Sequence, residues 1–410
     1  MRCNQPARLV ILILVLLVLL ALLCAVAAGL IHRPRSSTVA LKVGGRGGGK
    51  FSDLQWEYAQ YLATQAALRK ASSLPCKRRE VRNILERLLL TAANDHAQAN
   101  AAEAPSEPYD LWALVNESAA AKSKAAAELV EKGCATTEEG ARKQLAATIS
   151  AARRILRKAR PARLEVTATD STVTVTPYGG KPIEFAGVAH LLSIGHLADC
   201  APKAVAISGL RYKAALAGSQ HLGLTHAYHE KLFHQLGVRY EGFSSPFNSR
   251  LLPLCSNSEG ASNSDGIGCD VRFCSVFPDV DAPFGSIGSF EHAEIGDDQT
   301  WGINPPYIIS VMDMAWAKIS QALDERKNVT VVLLLPDWPD AEAVENAVKS
   351  RYCIFAAILP KDTMLSKPDG ATMRAGFRIT FVVLSNRPGF TASSLGTDLM
   401  PDGKVICRKS

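Results

Sequence analysis

The sequence predicts an α/β protein in which a helical region precedes a Rossmann-type sheet, with a single membrane-spanning helix ahead of both. Three observations predict it. An uncharged apolar run lies near the N-terminus, and residues 53–160 show helical periodicity with few strand signals. From about Lys203 onward, apolar strand-like runs alternate with amphipathic helical stretches. At 410 residues the chain is long enough for two domains.

The apolar run, Leu9 to Ile31, is mostly Leu, Val, Ile and Ala. As a helix it would cross a hydrocarbon core of about 30 Å. Arg2 and Arg8 precede it, and His32, Arg33, Arg35, Lys42, Arg46 and Lys50 follow. The denser positive flank favours a membrane anchor with a cytosolic body. Ala25-Val26-Ala27 resembles a processing site, so a cleaved signal or an organelle-targeting segment competes, and a misassigned start is a third reading. Residues 1–35 are therefore expected to be a transmembrane anchor or targeting segment. Residues 36–52 are expected to be a flexible linker, because no packed element would choose Gly44-Gly45-Arg46-Gly47-Gly48-Gly49.

Residues 53–200 read as a helical domain with a small β-hairpin. The segment Arg142 to Arg163 carries Arg142, Lys143, Arg153, Arg154, Arg157, Lys158, Arg160 and Arg163 with no acid, beside an apolar stripe of Leu145, Ile149, Ile155 and Leu156. A solvated basic helix, a nucleic-acid phosphate contact and anionic lipid are its three readings. Pro161 ends the helix. Leu164–Thr169 and Thr172–Thr176 then alternate around Asp170-Ser171, which suggests the hairpin.

Composition is that of a globular chain, 47% hydrophobic and 21% charged, and the net charge of +7 permits an acidic partner without requiring one. The ten cysteines are irregularly spaced. Cys269 and Cys274 form the close couple, with no second pair or nearby His to complete a zinc set. They read as free thiols in a reducing compartment, and no metal site is expected.

Residues 201–395 carry the α/β unit and 396–410 a tail. Gly237–Phe243 reads as a strand broken at Ser244-Ser245-Pro246-Phe247-Asn248. Open α/β sheets bind ligands at the C-terminal ends of their strands, so Ser245, Pro246 and Asn248 are a candidate cofactor wall, with an ordinary turn as the alternative. Leu252–Cys269, rich in Ser, Asn and Gly, reads as a flexible insertion. Phe273–Phe290 brings Asp279, Asp281 and Gly285 near a strand end, a set suited to a ribose and an amino-acid moiety.

The sharpest signal is Trp301-Gly-Ile-Asn304-Pro305-Pro306-Tyr307, between an apolar strand and a helix. An exocyclic amine on adenine is a poor nucleophile because its lone pair is delocalised into the ring. Two acceptors facing its N–H groups, the Asn304 side-chain oxygen and the Pro305 carbonyl, would draw that lone pair out and favour the charge that develops as a methyl group arrives. Pro305 and Pro306 would fix the backbone so that both oxygens converge, and Tyr307 offers a flat face for the base. Three more strands follow, at Val329–Leu335, Cys353–Pro360 and Phe377–Leu384. The loop between the last two, Lys361 to Ala375, carries Lys361, Lys367 and Arg374 and is either a substrate contact or plain surface.

In order along the chain, these pieces resemble the phosphorylated-CTD-interacting-factor family, the cap-specific adenosine N6-methyltransferases, from about Leu210 to Gly389. The markers are Leu210-Arg211-Tyr212, Phe243–Asn248, Phe277-Pro278-Asp279-Val280-Asp281 with Phe284-Gly285-Ser286, Asn304–Tyr307, Pro336-Asp337-Trp338 and Ile358-Leu359-Pro360. The resemblance implies a helical domain packed on a Rossmann-like methyltransferase core, S-adenosyl-L-methionine as cofactor, a capped-RNA adenosine as acceptor, and a catalytic Asn304–Tyr307 motif. Three features depart from the family. No WW domain is evident, since Trp316 and Trp338 lie inside the catalytic unit. The Lys361–Ala375 loop looks shorter than the family's, without its aromatic and His character. The apolar N-terminal run is foreign to a nuclear enzyme. The expected function is N6-methylation of adenosine in RNA, with capped mRNA and, through residues 9–31, a membrane as partners. The residues leave open methylation of a protein glutamine or a DNA adenine, and a catalytically retired, membrane-tethered binding protein. An organelle-targeted or nuclear location stands beside the membrane-anchored one.

Overall fold

In the computed structural model, which describes residues 52–99, 110–194, 197, 200–216, 223–256, 271–366, 372–395, 399 and 403–408, helix α1 (Asp53–Ala71) starts at a capping box. The Ser52 hydroxyl accepts from the Gln55 N–H, and the Gln55 side chain accepts from the Ser52 N–H. Helices α2 (Arg78–Ala99), α3 (Leu111–Glu117), α4 (Ala119–Glu131) and α5 (Glu138–Lys158) follow. Asp110, Ser118 and Thr137 cap the last three through their side-chain oxygens. Small alanines let these helices approach closely around Ile84, Leu88, Trp112, Leu129 and Leu145. Tyr212 and Phe277 of the α/β part join the same core, and Leu41–Ser410 forms one compact unit. Helix α1 also buries a polar face. Thr64 Oγ1 accepts from the Trp112 indole at 3.0 Å and donates to the Ala214 carbonyl at 2.7 Å, and Gln60 accepts from the Leu111 N–H at 2.8 Å.

Two expectations change here. Cys76, in the α1–α2 connection, is disulfide-bonded to Cys134, just past α4. The reading of all cysteines as free thiols in a reducing compartment therefore loses its basis. A separation of 58 residues hides the pairing until the helices fold back on each other. The expected membrane-spanning helix is also corrected: no helix among the described residues is long and apolar enough to cross a membrane. Helices α1, α2 and α5 carry charges along their exposed faces, and the most apolar long helix, Ile309–Glu325, has 17 residues, short of the roughly 20 that a span requires. Leu9–Ile31, like the Gly44–Gly49 run, lies outside the described residues.

Strands β1 (Leu164–Ala168), β2 (Thr172–Pro177) and β3 (Ile183–Ala186) form an antiparallel sheet, one strand more than the expected hairpin. Val166, Val173, Val175 and Phe185 point inward against helix α6 (Ala201–Ala214). Helix α7 (His226–Gln235) leads into the large sheet. Its strands are β4 (Tyr240–Glu241), β5 (Arg272–Phe273), β6 (Thr300–Ile303), β7 (Thr330–Pro336), β8 (Cys353–Leu359), β11 (Ile379–Ser385) and β12 (Lys404–Arg408), with helix α8 (Ile309–Glu325) after β6 and α9 (Glu342–Lys349) after β7. The order is β12-β8-β11-β7-β6-β4-β5. Pairings among β7, β6, β4 and β5 are parallel, whereas β11 runs antiparallel to both β7 and β8. Every residue of β7 and β11 is buried, as expected of strands covered on both faces. The chain leaves β4 toward β5 and returns on the other side of β4 to form β6. That reversal opens a crevice at the C-terminal ends of β4 and β6, where open α/β sheets bind ligands. The Lys361–Ala375 segment is a hairpin, β9 (Met364–Ser366) with β10 (Thr372–Arg374), whose tip, including Lys367, lies outside the described residues.

Candidate active site

The Asn304–Tyr307 motif sits where β6 gives way to α8. Trp301 and Ile303 are fully buried and fix the strand end, with the Trp301 ring stacked on Tyr240 at 4.8 Å. Pro305 is buried, while Asn304 and Pro306 reach the wall of a cavity. Helix α8 is held down beyond the turn by Met312, Ala315, Ile319 and Leu323. Tyr307 packs edge-to-face with Phe377 at 5.3 Å and Trp338 at 6.2 Å, and burial raises its phenol well above the usual range. The Trp338 and Phe377 rings also meet edge to face, at 6.3 Å. Strand ends of β7 and β11 thus supply the two aromatics that fix the Tyr307 ring.

The cavity has a volume of about 420 Å³. One wall is made of strand ends: Gly242, Phe243, Ser244 and Asn248 after β4, Ser275 after β5, and Asn304 after β6. Gly242 is required there, because a Cβ would lie 3.0 Å from the Phe290 ring and 3.1 Å from Ile303. The opposite wall comes from the helical region, with Arg87 and Asn94 on α2 and Lys124 on α4. Arg87 is anchored by Glu128, its Nε donating at 3.0 Å. On the far side of Asn304 a small pocket of about 40 Å³ is lined by His229, Glu241 and Arg250. Glu241 accepts from the Ser249 hydroxyl and, at 3.1 Å, from the Arg250 N–H, and burial raises its pKa. Burial also pushes His229 down to about 4, so that this imidazole is neutral at pH 7.

Of the residues expected to hold a cofactor, Asn248 lines the cavity and the others have different surroundings. Asn248 Oδ1 accepts from the Ser245 N–H at 2.6 Å and the Ser245 hydroxyl at 2.8 Å, which closes the turn after β4. Ser245 is buried inside that turn, and the Pro246 carbonyl meets His190 Nε2 at 3.2 Å. These two shape the loop rather than face the cavity. Asp279 and Asp281 point toward the helical region. Asp281 accepts from the Ser208 hydroxyl at 2.7 Å and the Tyr212 hydroxyl at 2.6 Å, and burial pushes it up to about 7 against those two donors. Asp279 accepts from Arg211 at 3.0 Å, and the same guanidinium donates twice to Glu57 of α1, at 2.7 Å each. Burial opposes the Arg211 charge, but Glu57 and Asp279 outweigh it and raise its pKa. Gly285 closes the turn after Phe284 with φ +98°, a conformation favouring glycine, and its carbonyl accepts from the Phe273 N–H at 3.4 Å.

The cavity also takes residues that sequence reasoning passed over. Arg87, Asn94 and Lys124 sit in Ala-rich or charged helical runs with no local motif. Ser289 and Glu291 end a glycine-rich run whose acids drew attention elsewhere. Only the packing of α2 and α4 over the strand ends identifies them.

Comparison with known proteins agrees with the resemblance. Residues 198–365 match the family model described as phosphorylated CTD interacting factor 1 WW domain. In this structure those residues run from the start of α6 through β4–β8 into β9. A human protein named mRNA (2'-O-methyladenosine-N(6)-)-methyltransferase is 26% identical over 195 residues, 44% of this chain and 24% of that protein. The mouse protein of the same name is 24% identical over 174 residues, 39% of this chain and 22% of its own length. The chain thus spans about a quarter of the length of these curated relatives. Over residues 198–365, the chain is a relative of the phosphorylated-CTD-interacting-factor family.

Proposed function

We propose that the chain is an S-adenosyl-L-methionine-dependent methyltransferase acting on the N6 amine of an adenosine in RNA, with the cap-adjacent adenosine of mRNA as its target. The observation that carries this reading is that Asn304 and Pro306, after β6, share one cavity with Phe243, Ser244 and Asn248, after β4. The names of the two relatives, which specify N6-methylation of an mRNA adenosine, support the choice of acceptor.

The residues present fit the cofactor. A cavity of about 420 Å³ at a switch point of an open sheet has the size and place of a small-molecule site. Gly242, Ser244 and Asn248 would hold it against the strand ends. S-adenosyl-L-methionine supplies an activated methyl group when bound. Asn304 Oδ1 and the Pro305 carbonyl accept the two N–H groups of the target amine and favour the positive charge that grows there. Tyr307, its ring fixed by Trp338 and Phe377, is the stacking platform for the adenine. Ile308, Val311 and Met314 give the cavity an apolar margin that excludes water. An exposed set of cations on and after α5, Lys143, Arg154, Arg157, Lys158 and Arg160, supports a polyanionic substrate.

The test incubates the full-length chain with radiolabelled S-adenosyl-L-methionine and three acceptors: an RNA capped next to adenosine, the same RNA uncapped, and a glutamine-containing peptide. Label on the capped RNA alone is expected. Equal label on both RNAs would keep the adenine chemistry and remove cap selectivity. Label on the peptide alone would overturn the reading.

A further inference from the structure

Two buried oxygens on the cavity wall are left over by the protein itself. Ser289 Oγ and Glu291 Oε2 are each buried with no hydrogen-bond partner among the described residues, and both residues line the cavity. Buried polar atoms are nearly always paired, and an unpaired one is costly. Two on one wall mark a place where a ligand completes the pairing. The other carboxylate on the wall, Asp95, already accepts from the Ser118 hydroxyl at 2.9 Å. Glu291 is held in place from behind: Lys318 donates to its backbone carbonyl at 2.7 Å and lies 5.8 Å from the Phe290 ring centre.

The distribution of charge says which part of a ligand belongs there. On the methyltransferase reading, on which this inference rests, the sulfur must lie beside Asn304. The two arms of the cofactor then run in different directions. The amino-acid arm ends in a carboxylate and needs cations or amide donors, and the helical wall supplies Arg87, Lys124 and Asn94. The nucleoside arm is neutral, with a vicinal diol whose hydroxyls donate. The β5 side of the cavity, with Ser275, Ser289 and Glu291, presents hydroxyls and an acceptor. Asp279 and Asp281, the acids nearest the end of β5, are committed to Arg211, Ser208 and Tyr212 and do not line the cavity.

We propose that Glu291, assisted by Ser289, binds the ribose hydroxyls of S-adenosyl-L-methionine, and that this pair sets specificity for a ribonucleoside cofactor.

Calorimetric binding to the full-length protein tests it. The probes are S-adenosylhomocysteine, methylthioadenosine, which lacks the amino-acid arm, and the 2′,3′-dideoxy form of methylthioadenosine. Glu291→Gln is expected to weaken S-adenosylhomocysteine and methylthioadenosine equally, by about 10- to 100-fold, the range for a hydrogen bond to a charged group. Removing the ribose hydroxyls should weaken binding to the wild-type protein but not to the Glu291→Gln protein. That comparison is made within each protein, so any general loosening of the fold cancels. Ser289→Ala should give a smaller loss of the same pattern. A loss confined to S-adenosylhomocysteine would place Glu291 on the amino-acid arm and overturn the inference, as would no loss at all. Failure of the wild-type protein to bind either nucleoside would overturn the methyltransferase reading itself, and is seen before any variant is compared.

Discussion

The two walls of the cavity are built on different principles. The α/β wall is made of strand ends, where the backbone turns abruptly and each side chain is placed by a buried strand behind it. The helical wall is made of the middle of α2 and α4, where Arg87, Asn94 and Lys124 project from regular helices. The first wall concentrates reactive geometry in a few contiguous residues, Gly242–Ser244 and Asn304–Pro306. The second spreads its contribution over residues 37 positions apart in sequence, Arg87 and Lys124. The difference teaches that chemistry written on strand ends is compact in sequence, whereas the complementary charge of a packed helical layer is not.

The largest expected effect breaks the joint between the two regions. Arg211 is fully buried between Glu57 of α1 and Asp279 of the α/β part. Arg211→Ala would leave Glu57 as a buried charge without its bidentate partner, and a loss of about 3–5 kcal/mol in chemical unfolding is expected. An effect below about 1 kcal/mol, the value of an exposed ion pair, would show that the joint contributes little.

The next effect concerns the helical wall alone. Cys76–Cys134 ties the start of α2 to the end of α4, the two helices that supply that wall. Cys76→Ser with Cys134→Ser should lower stability by about 2–4 kcal/mol. Substrate binding should weaken more than the strand-end wall's own fold, as read by hydrogen exchange of β6 and β7 amides.

A third effect is set by pH. Folded Asp281 holds its proton up to about pH 7, against a usual value of 3.8. Between those values the folded state carries a proton that the unfolded state has lost. Stability should therefore fall as pH rises from about 4 to 7, by at most about 1.4 kcal/mol per pH unit, and level off above 7. Asp281→Asn should flatten that slope in thermal scans across the window.

The smallest effect sharpens the comparison. Lys124→Ala, on an exposed helix surface, should leave the unfolding midpoint unchanged and raise KM by about tenfold, the size of one charge-assisted contact. An unchanged KM would remove Lys124 from the working wall.

How far the sequence reveals this arrangement follows from the same contrast. The alternation of strands and helices after Lys203 is legible because β7, β8 and β11 are continuous apolar runs, and the strand–turn–helix setting of Asn304 is legible because Pro305 and Pro306 mark it. Side-chain direction is not. Asp279 and Asp281 stand near a strand end as expected, yet Arg211, Tyr212 and Ser208, about seventy residues earlier, take their carboxylates. Strand β3 is missed because Ile183–Ala186 is too short to show alternation, and β9–β10 because its polar hairpin reads as a loop. The Cys76–Cys134 pair depends on contacts between α2 and α4 that no local spacing records. The apolar run at Leu9–Ile31 is conspicuous in composition, but no helix among the described residues can cross a membrane.

The measurement that bears most directly on the reaction centre is single-turnover methyl transfer by Asn304→Ala, made in the full-length chain with capped RNA and radiolabelled S-adenosyl-L-methionine. Loss of one acceptor that acts on developing charge should lower the rate by about 10²–10³ with the thermal unfolding midpoint retained. A variant that transfers methyl at the full rate would contradict the assignment of Asn304 and, with it, the strand-end wall as the seat of the chemistry.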